Sequence, residues 1–177
     1  MNYIGKMIGV LGVVLLNTGS VAQALEIPQR QFPRPQTTNS VPHVQIGVSP
    51  REDLIETLLL KVKQLPGVAL GATRISLPGA IGFQIDRSVE LARPRSIVGG
   101  REFAHVHPDG SLHASLNPNT AKAAIQAGWA IAHPWSAQRD GWEGFVMIYT
   151  PLNEQEVDVV FGLVQDSYSY VTGRSLP

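Results

Sequence analysis

The apolar residues of this chain change their spacing along its length, and each spacing predicts a different secondary-structure element. In the first segment that looks folded, apolar side chains recur every three or four positions, as on a helix with one buried face. This stripe consists of Leu54, Ile55, Leu58, Leu59, Val62 and Leu65. Ser49, Pro50 and Glu52 stand at the N-cap, first-turn and capping-box positions of such a helix. Pro66 and Gly67 are expected to end it.

Shorter apolar or alternating stretches follow, separated by glycine and proline, and this pattern is typical of strands in an antiparallel meander. The stretches are "GVAL", "TRISL" and "IGFQIDRSVEL", all within residues 67–91. In the last of them Phe83, Ile85 and Val89 are predicted to face inward. "GFVMIYT", residues 144–150, is a further, strongly apolar strand.

Two more helices are predicted towards the C-terminus. Asn117 and Pro118 fit the N-cap and first position of a helix that runs to about Ala127 and is closed by Gly128. The final helix begins with a capping box at Asn153 and Glu156 and ends before Gly173. Its apolar face consists of Val157, Val160, Phe161, Val164, Tyr168 and Val171. Helices at both ends of a run of strands predict an α+β fold over residues 49–175, a single compact domain with a mainly antiparallel sheet covered by about three helices.

The first 24 residues have the pattern of a signal peptide. Lys6 supplies a positive charge, residues 7–16 form an apolar run, and Ala22 and Ala24 stand at the small-residue positions of a cleavage site. We therefore expect export, to the periplasm or outside the cell, and no membrane contact after cleavage following Ala24. An uncut anchor is the alternative, although the run is shorter than the roughly 20 apolar residues of a membrane span.

Residues 25–48 carry four prolines and show neither helical nor strand periodicity. They are predicted to form an extended, Pro- and Gln-rich tether in which His43 is solvated.

Composition excludes several classes of partner and chemistry. Lysines plus arginines and aspartates plus glutamates number 14 each, so no net field attracts the protein to nucleic acid or to an anionic membrane. The chain has no cysteine, which excludes disulfides, thiolate catalysis and thiolate metal sites. A small molecule is the expected partner, and the oligomeric state is left open.

The most informative stretch is "REFAHVHPDGSLHASL", residues 101–116, which contains three of the five histidines around a Pro-Asp-Gly turn signal. A two-residue turn at Asp109 and Gly110 would place Val106 opposite His113 and mix polar and apolar residues on both faces. A three-residue loop, with Gly110 in the left-handed position, would place His105 opposite His113. We favour the second register because a proline at the first loop position supplies the φ angle that this turn requires.

In the favoured register the two faces of the hairpin separate completely. The apolar face consists of Ala104, Val106, Leu112, Ala114 and Leu116. The polar face consists of His105, His107, Ser111, His113 and Ser115. Because directly opposed Cβ atoms lie about 5 Å apart, the three imidazoles could converge on one ion or one substrate group. With His133 from "AHPW", they form a candidate site for zinc or another divalent metal.

Other roles for these residues compete with metal binding. His105 or His107 could act as a general acid or base near neutral pH. Ser111 lies on the same face and could contact a ligand, but no G-x-S-x-G elbow marks it as a nucleophile. The histidines could equally be hydrogen-bonded structural residues of a polar strand face.

Residues outside the hairpin add weaker candidates for ligand binding. Trp129 and Trp135, with Trp142 and Tyr149, could line an apolar pocket beside His133 or simply fill the core. Arg101 could bind an anionic ligand or form a surface salt bridge.

An H-x-H pair also occurs in three other enzyme classes, which the sequence argues against. Asp109 stands where the third histidine of a histidine-triad hydrolase would be. A cupin needs many more strands and an acidic ligand after the pair, and an amidohydrolase barrel needs about 250 residues.

Several segments together resemble the luciferase domain family of bacterial and fungal proteins. They are "GREFAHVHPDGSLHASL", "AGWAIAHP", "GFVMIYTP" and "SYSYVTG", and the likeness runs from about Ser49 to Gly173. The matching motif positions are Arg101, Glu102, Phe103, His105, His107, Asp109, Gly110, His113, Gly128, Trp129, His133 and Pro134. The resemblance implies a single compact α+β domain, often a stand-alone protein, and brings no established catalytic role.

The family is distinct from the flavin-dependent barrel luciferases, whose fold this chain is too short to form. One local departure is the absence of an arginine near "YTP", where Leu152 and Asn153 stand instead. If relatives use this arginine to bind an anion, this chain has no arginine at the same position to make that contact.

The leading hypothesis is an exported protein with a histidine-lined pocket formed by His105, His107, His113 and His133, which binds a small ligand or a metal. If it is an enzyme, the groups suit hydrolysis or oxygen chemistry at a histidine-bound metal, or acid/base catalysis. The alternative is a non-catalytic binding or interaction module in which the histidines are structural.

Overall fold

A computed structural model describes residues 26–176, so the predicted signal peptide lies outside the described residues. Three α-helices, a six-stranded sheet and a two-stranded sheet form an α+β fold, as predicted. In chain order the elements are β1 (Gln36–Thr37), β2 (Gln45–Ile46), α1 (Glu52–Val62), β3 (Val68–Ala72), β4 (Ile81–Ile85), a 3₁₀ turn (Pro94–Ser96), β5 (Glu102–Val106), β6 (Leu112–Ser115), α2 (Pro118–Gln126), β7 (Ala130–Ala132), β8 (Phe145–Ile148) and α3 (Glu154–Thr172).

The large sheet is antiparallel throughout, with strand order β3-β4-β5-β6-β8-β7. The hairpin β5–β6 lies at its centre, and both of its strands are buried along their whole length. Helices cover one face of the sheet, since α3 contacts β5 and β6 and also packs against α1. The opposite face is covered by loops and by the N-terminal segment.

The helix-covered face of the sheet holds the hydrophobic core. Leu58, Val62, Leu112, Leu163 and Tyr168 are completely buried there. Each fully buried large apolar side chain contributes roughly 1.5–3 kcal/mol relative to an exposed one, so this face supplies most of the stability.

The first helix follows its predicted apolar stripe but begins later than predicted. Its N-cap is Arg51, which makes no side-chain capping bond, so the prediction of Ser49 as N-cap was wrong. Pro50 lies against Gly110 in the β5–β6 turn, and the first helical carbonyl to accept a bond is that of Arg51. Packing against the hairpin therefore delays the helix by two positions.

The caps of the other two helices were predicted correctly. Asn117 accepts a hydrogen bond from the backbone N–H of Asn119 at the start of α2. At the start of α3, Asn153 accepts one from the N–H of Glu156, and Gly173 ends the helix with a φ of 71°. No helix among residues 26–176 is long and apolar enough to cross a membrane.

The strand predictions hold for β4 and β8 but fail for "TRISL". Phe83, Ile85 and Val89 are buried as predicted. Thr73 and the backbone N–H of Arg74 instead turn inward to bond the carboxylate of Glu102, which pulls this segment out of the sheet and into a loop. The three-residue strand β7 was not predicted.

Residues 26–48 are extended but lie against the domain over most of their length. The guanidinium of Arg30 forms an ion pair of 2.8 Å with Glu156 between the rings of Trp129 and Tyr149. Arg30 also bonds the carbonyl of Thr150, and so places an arginine from the N-terminal segment beside "YTP".

Further along the segment, Gln45 attaches the chain to the central hairpin. Its backbone N–H donates to Asp109, and its side chain accepts from the N–H of Thr150. His43 is consequently only 3% exposed, and the prediction that it is solvated was wrong.

Candidate functional site

The register of the central hairpin brings the three clustered histidines to one face of the sheet. His105 pairs directly with His113, as the three-residue loop predicts. Gly110 has a φ of 79°, the left-handed conformation that this loop requires. The backbone N–H of His107 donates to the carbonyl of Ser111 at 2.8 Å and closes the loop.

Glu102 joins this face because β5 contains an irregularity. Phe83 pairs with Ala104, but the next residue of β4, Gln84, pairs with Glu102, so one residue of β5 is left without a partner. Such a bulge reverses the alternation of side chains beyond it. The carboxylate of Glu102 therefore lies on the histidine face, where a Cβ on Gly82 would come within 2.8 Å of it.

One chain of hydrogen bonds runs from Glu102 to the centre of the cluster. The carboxylate of Glu102 lies 3.0 Å from Nδ1 of His105, and Nε2 of His105 lies 3.2 Å from Nδ1 of His113. The same carboxylate accepts from Thr73, from the backbone of Arg74 and from Gln84, so its charge is held by four donors.

A second chain runs through the turn to His107. Ser111 donates its hydroxyl hydrogen to Asp109 at 2.7 Å, and its oxygen lies 3.0 Å from Nδ1 of His107. Ser111 thus connects a carboxylate to a histidine, and its own proton is directed at Asp109.

Two further histidines complete the cluster from outside the hairpin. His133, after β7, has its ring centroid 4.6 Å from that of His113, and His43 has its centroid 5.1 Å from that of His133. All five histidines of the chain are between 2% and 5% exposed. His133 was predicted from the sequence, whereas His43 was missed because nothing in the composition of its segment indicates docking.

A partly open cavity of about 150 Å³ adjoins the cluster. A buried space of roughly this size can hold one benzene ring. Besides the five histidines, its walls are mostly apolar, formed by Val41, Pro42, Ile75, Ser76, Leu77, Val98, Trp135 and Phe145.

Burial keeps most of these imidazoles neutral. It lowers the pKa of His43, and together with nearby His105 it lowers the pKa of His107 to about 4. The pKa of His133 falls to about 3, from burial first and then from its histidine neighbours, and that of His113 lies well below 6.5 for the same reasons. A neutral imidazole keeps one nitrogen lone pair, the form in which histidine binds metals.

The cluster contains two overlapping sets of three histidines that could hold a metal ion. One set is His105, His107 and His113, and the other is His43, His113 and His133; within each, the candidate nitrogens lie within 4.8 Å of one another. Two imidazole nitrogens of the cluster, Nδ1 of His43 and Nε2 of His113, are buried without a hydrogen-bond partner among residues 26–176.

The other predicted site residues are divided between the cavity and distant regions. Trp135 lines the cavity, with its ring 5.2 Å from that of His133. Trp129 lies away from it, donating to the carbonyl of Pro28. Arg101 donates to the backbone carbonyls of Ile85, Asp86 and Val89 and is not part of the cavity wall.

Comparison with known proteins gives a consistent result. A family model described as "Luciferase domain" matches residues 100–167. The chain is 29% identical to a luciferase of Armillaria mellea and 27% identical to one of Armillaria gallica, each over 83% of this chain and 62% of the relative. It is 35% identical to a luciferase of Neonothopanus nambi, over 41% of this chain and 28% of the relative.

The chain thus spans less than two thirds of the length of these fungal relatives. No solved structure is significantly similar to it. The matched region contains the whole β5–β6 hairpin together with His133, β8 and the first part of α3. The family-model match over residues 100–167 and the fungal luciferases are consistent with the resemblance to the luciferase domain family that the motif residues indicate.

Proposed function

We propose that the protein is an enzyme that binds one divalent first-row transition-metal ion among its buried histidines and acts on a small, largely apolar molecule in the adjoining cavity. Imidazole nitrogens suit zinc, iron, copper and nickel, whereas magnesium and calcium prefer oxygen ligands. The predominantly apolar wall of the cavity favours an organic substrate.

The observation that carries this proposal is the burial of five imidazoles beside one another, with two overlapping sets of three whose nitrogens lie within 4.8 Å of one another. A buried polar atom without a partner costs about 1–3 kcal/mol, and here His43 and His113 each contribute one. A bound metal ion accepts lone pairs from several buried imidazoles at once, so it would offset part of the cost of burying them.

The fungal relatives give a preference among metal reactions. Their name, luciferase, denotes an enzyme of light-emitting oxidation. We therefore favour oxidation of an organic substrate by dioxygen over hydrolysis. In this proposal the histidines hold the metal with open positions, and the walls of the cavity hold the substrate beside it and exclude water.

A second candidate is acid/base catalysis by the histidines without a metal. The bond that Nδ1 of His107 donates to Ser111, which in turn donates to Asp109, resembles the arrangement by which a carboxylate orients a catalytic imidazole. In this case Nε2 of His107 would take a proton from the substrate. The non-catalytic alternative assigns the same hydrogen bonds to structure alone.

Export belongs to the same proposal, because the first 24 residues have the signal-peptide pattern. N-terminal sequencing of the protein recovered from outside the cytoplasm should give Leu25 as its first residue. Recovery of the intact N-terminus in the membrane fraction would instead support the retained anchor.

Metal analysis tests the main proposal. Residues 25–177, produced without a histidine tag, should contain close to one equivalent of metal by plasma mass spectrometry. A folded His105→Ala, His107→Ala double variant should contain almost none. If neither protein retains zinc, iron or copper after incubation and dialysis, the metal proposal fails and acid/base catalysis becomes the better candidate.

A further inference from the structure

Given the proposed metal function, we infer that the ion is bound by His105, His107 and His113, with Glu102 and Asp109 orienting two of these ligands, and that His43 and His133 are not ligands. His113 belongs to both sets of three histidines, so proximity alone does not distinguish them. The hydrogen bonds of the four rings that the two sets do not share, those of His105, His107, His43 and His133, distinguish the sets.

The hydrogen bonds on Nδ1 of His105 and His107 direct the lone pair of each ring to Nε2. Glu102 can only accept when it is ionised, so Nδ1 of His105 carries a hydrogen, and in the neutral ring Nε2 carries the lone pair. Ser111 gives its hydrogen to Asp109, so its oxygen accepts from Nδ1 of His107, and Nε2 of His107 again carries a lone pair.

A hydrogen-bond acceptor behind the ligating imidazole is the usual arrangement at histidine metal sites. Metal-binding histidines nearly always donate their other N–H to a carboxylate, a carbonyl or water, which fixes the ring and raises its basicity. His105 has Glu102 directly behind it, and His107 has Asp109 behind it through Ser111. The two carboxylates also bring negative charge close to the ion.

The spacing of the nitrogens fits a single ion. Nε2 of His105 and Nδ1 of His113 lie 3.2 Å apart. Two nitrogens that bind one zinc ion tetrahedrally at about 2.0 Å are about 3.3 Å apart. Binding would replace the hydrogen bond between these rings by two metal bonds and would move the proton of His113 to its Nε2.

The competing set lacks this support. Nδ1 of His133 accepts a hydrogen bond from the backbone N–H of Trp135 at 3.0 Å. In the neutral ring the hydrogen is therefore on Nε2, which leaves no free lone pair for a metal. Nδ1 of His43 has no partner among residues 26–176 that would orient it. These two histidines line the cavity beside the ion.

Five single variants test the assignment by zinc binding to the exported protein. His105→Asn, His107→Asn and His113→Asn should each reduce bound zinc to a small fraction of one equivalent after dialysis. His43→Asn and His133→Asn should retain close to one equivalent. The assignment would be overturned if His43→Asn or His133→Asn lost zinc while His105→Asn and His107→Asn retained it. The proposed metal function would still stand in that case.

If the wild-type protein binds no zinc, iron or copper, the proposed function and this assignment fail together. Near-ultraviolet circular dichroism establishes that each variant is folded.

Glu102→Gln tests the assignment without removing a ligand. Its zinc dissociation constant should rise about 10- to 100-fold, with the stoichiometry unchanged, because the ring of His105 loses its carboxylate. Asp166→Asn is the matched control, since this carboxylate lies between α2 and α3 and bonds Asn117 and Thr120. Equal dissociation constants for the wild type and Glu102→Gln would contradict the role of Glu102.

Discussion

The two faces of the β5–β6 hairpin are equally buried but are stabilised in different ways. Ala104, Val106 and Leu112 pack beneath the helices, where burial of apolar area is itself favourable. His105 and His113 on the other face are just as inaccessible to solvent, yet burying their ring nitrogens is unfavourable unless those nitrogens have hydrogen-bond partners. The same strands therefore provide a core on one side and a reactive, incompletely satisfied cluster on the other.

The carboxylates of Glu102, on the histidine face, and Asp166, on the helix side, also differ in how their burial is offset. Burial raises the pKa of Glu102, but hydrogen bonds from His105, Thr73 and Arg74 outweigh this and hold it below its ordinary value. Asp166, on the helix side, has only two hydrogen bonds to offset burial, and its pKa is raised. The histidine face thus contains a network built to hold a negative charge, whereas the helix side does not.

Leu163→Ala should have the largest effect on stability, because it removes a completely buried side chain of α3 on the apolar side. We expect a loss of about 2–5 kcal/mol in the free energy of unfolding. Urea denaturation followed by circular dichroism measures it. Leu60→Ala removes a leucine that is 58% exposed and should change stability by less than about 0.5 kcal/mol.

Glu102→Gln should destabilise the metal-free protein by about 2 kcal/mol, since the amide nitrogen would face hydrogen-bond donors that now bond a carboxylate. The same denaturation experiment measures this change. Thr73→Val removes one of these donors and should cost about 1 kcal/mol. If both variants were as stable as the wild type, the network would contribute nothing to folding.

Asp166→Asn should have the smallest effect at neutral pH, under about 1 kcal/mol, because an amide can keep at least one of the two hydrogen bonds. Its effect on pH dependence is more specific. The raised pKa means that the folded state binds the proton more tightly than the unfolded state, so the contribution of Asp166 to wild-type stability falls as pH rises above 3.8 through the folded pKa.

The stability of wild type relative to Asp166→Asn should therefore decrease across that pH window. Denaturation curves at a series of pH values measure this difference. Asp86→Asn is the opposite control, because hydrogen bonds from Ser88 lower the pKa of Asp86. Relative to that variant, the wild type should instead gain stability as pH rises.

Local signals predicted the features of the fold that depend on short segments. Asn117 and Asn153 cap their helices as their positions indicate, because a capping bond involves residues only two or three positions away. The three-residue turn at Pro108–Gly110 was also predictable, and with it the pairing of His105 with His113. Three of the five clustered histidines follow directly from that register.

Features that depend on distant segments were missed or predicted wrongly. The position of Glu102 depends on a bulge, which alternation within β5 alone does not reveal. The burial of His43 depends on bonds from Gln45 to Asp109 and Thr150, more than 60 residues away along the chain. "TRISL" reads as a strand, but its first residues bond Glu102 instead.

By itself, the sequence determined the α+β architecture, the two faces of the central hairpin and the convergence of His105, His107 and His113. Periodicity and turn chemistry are encoded within a few residues, so they can be read directly. Only the tertiary structure decided that Glu102 supports His105, that His43 closes the cluster and that a cavity adjoins it. Each of these depends on the packing of segments far apart in the chain, whose free energy no local pattern contains.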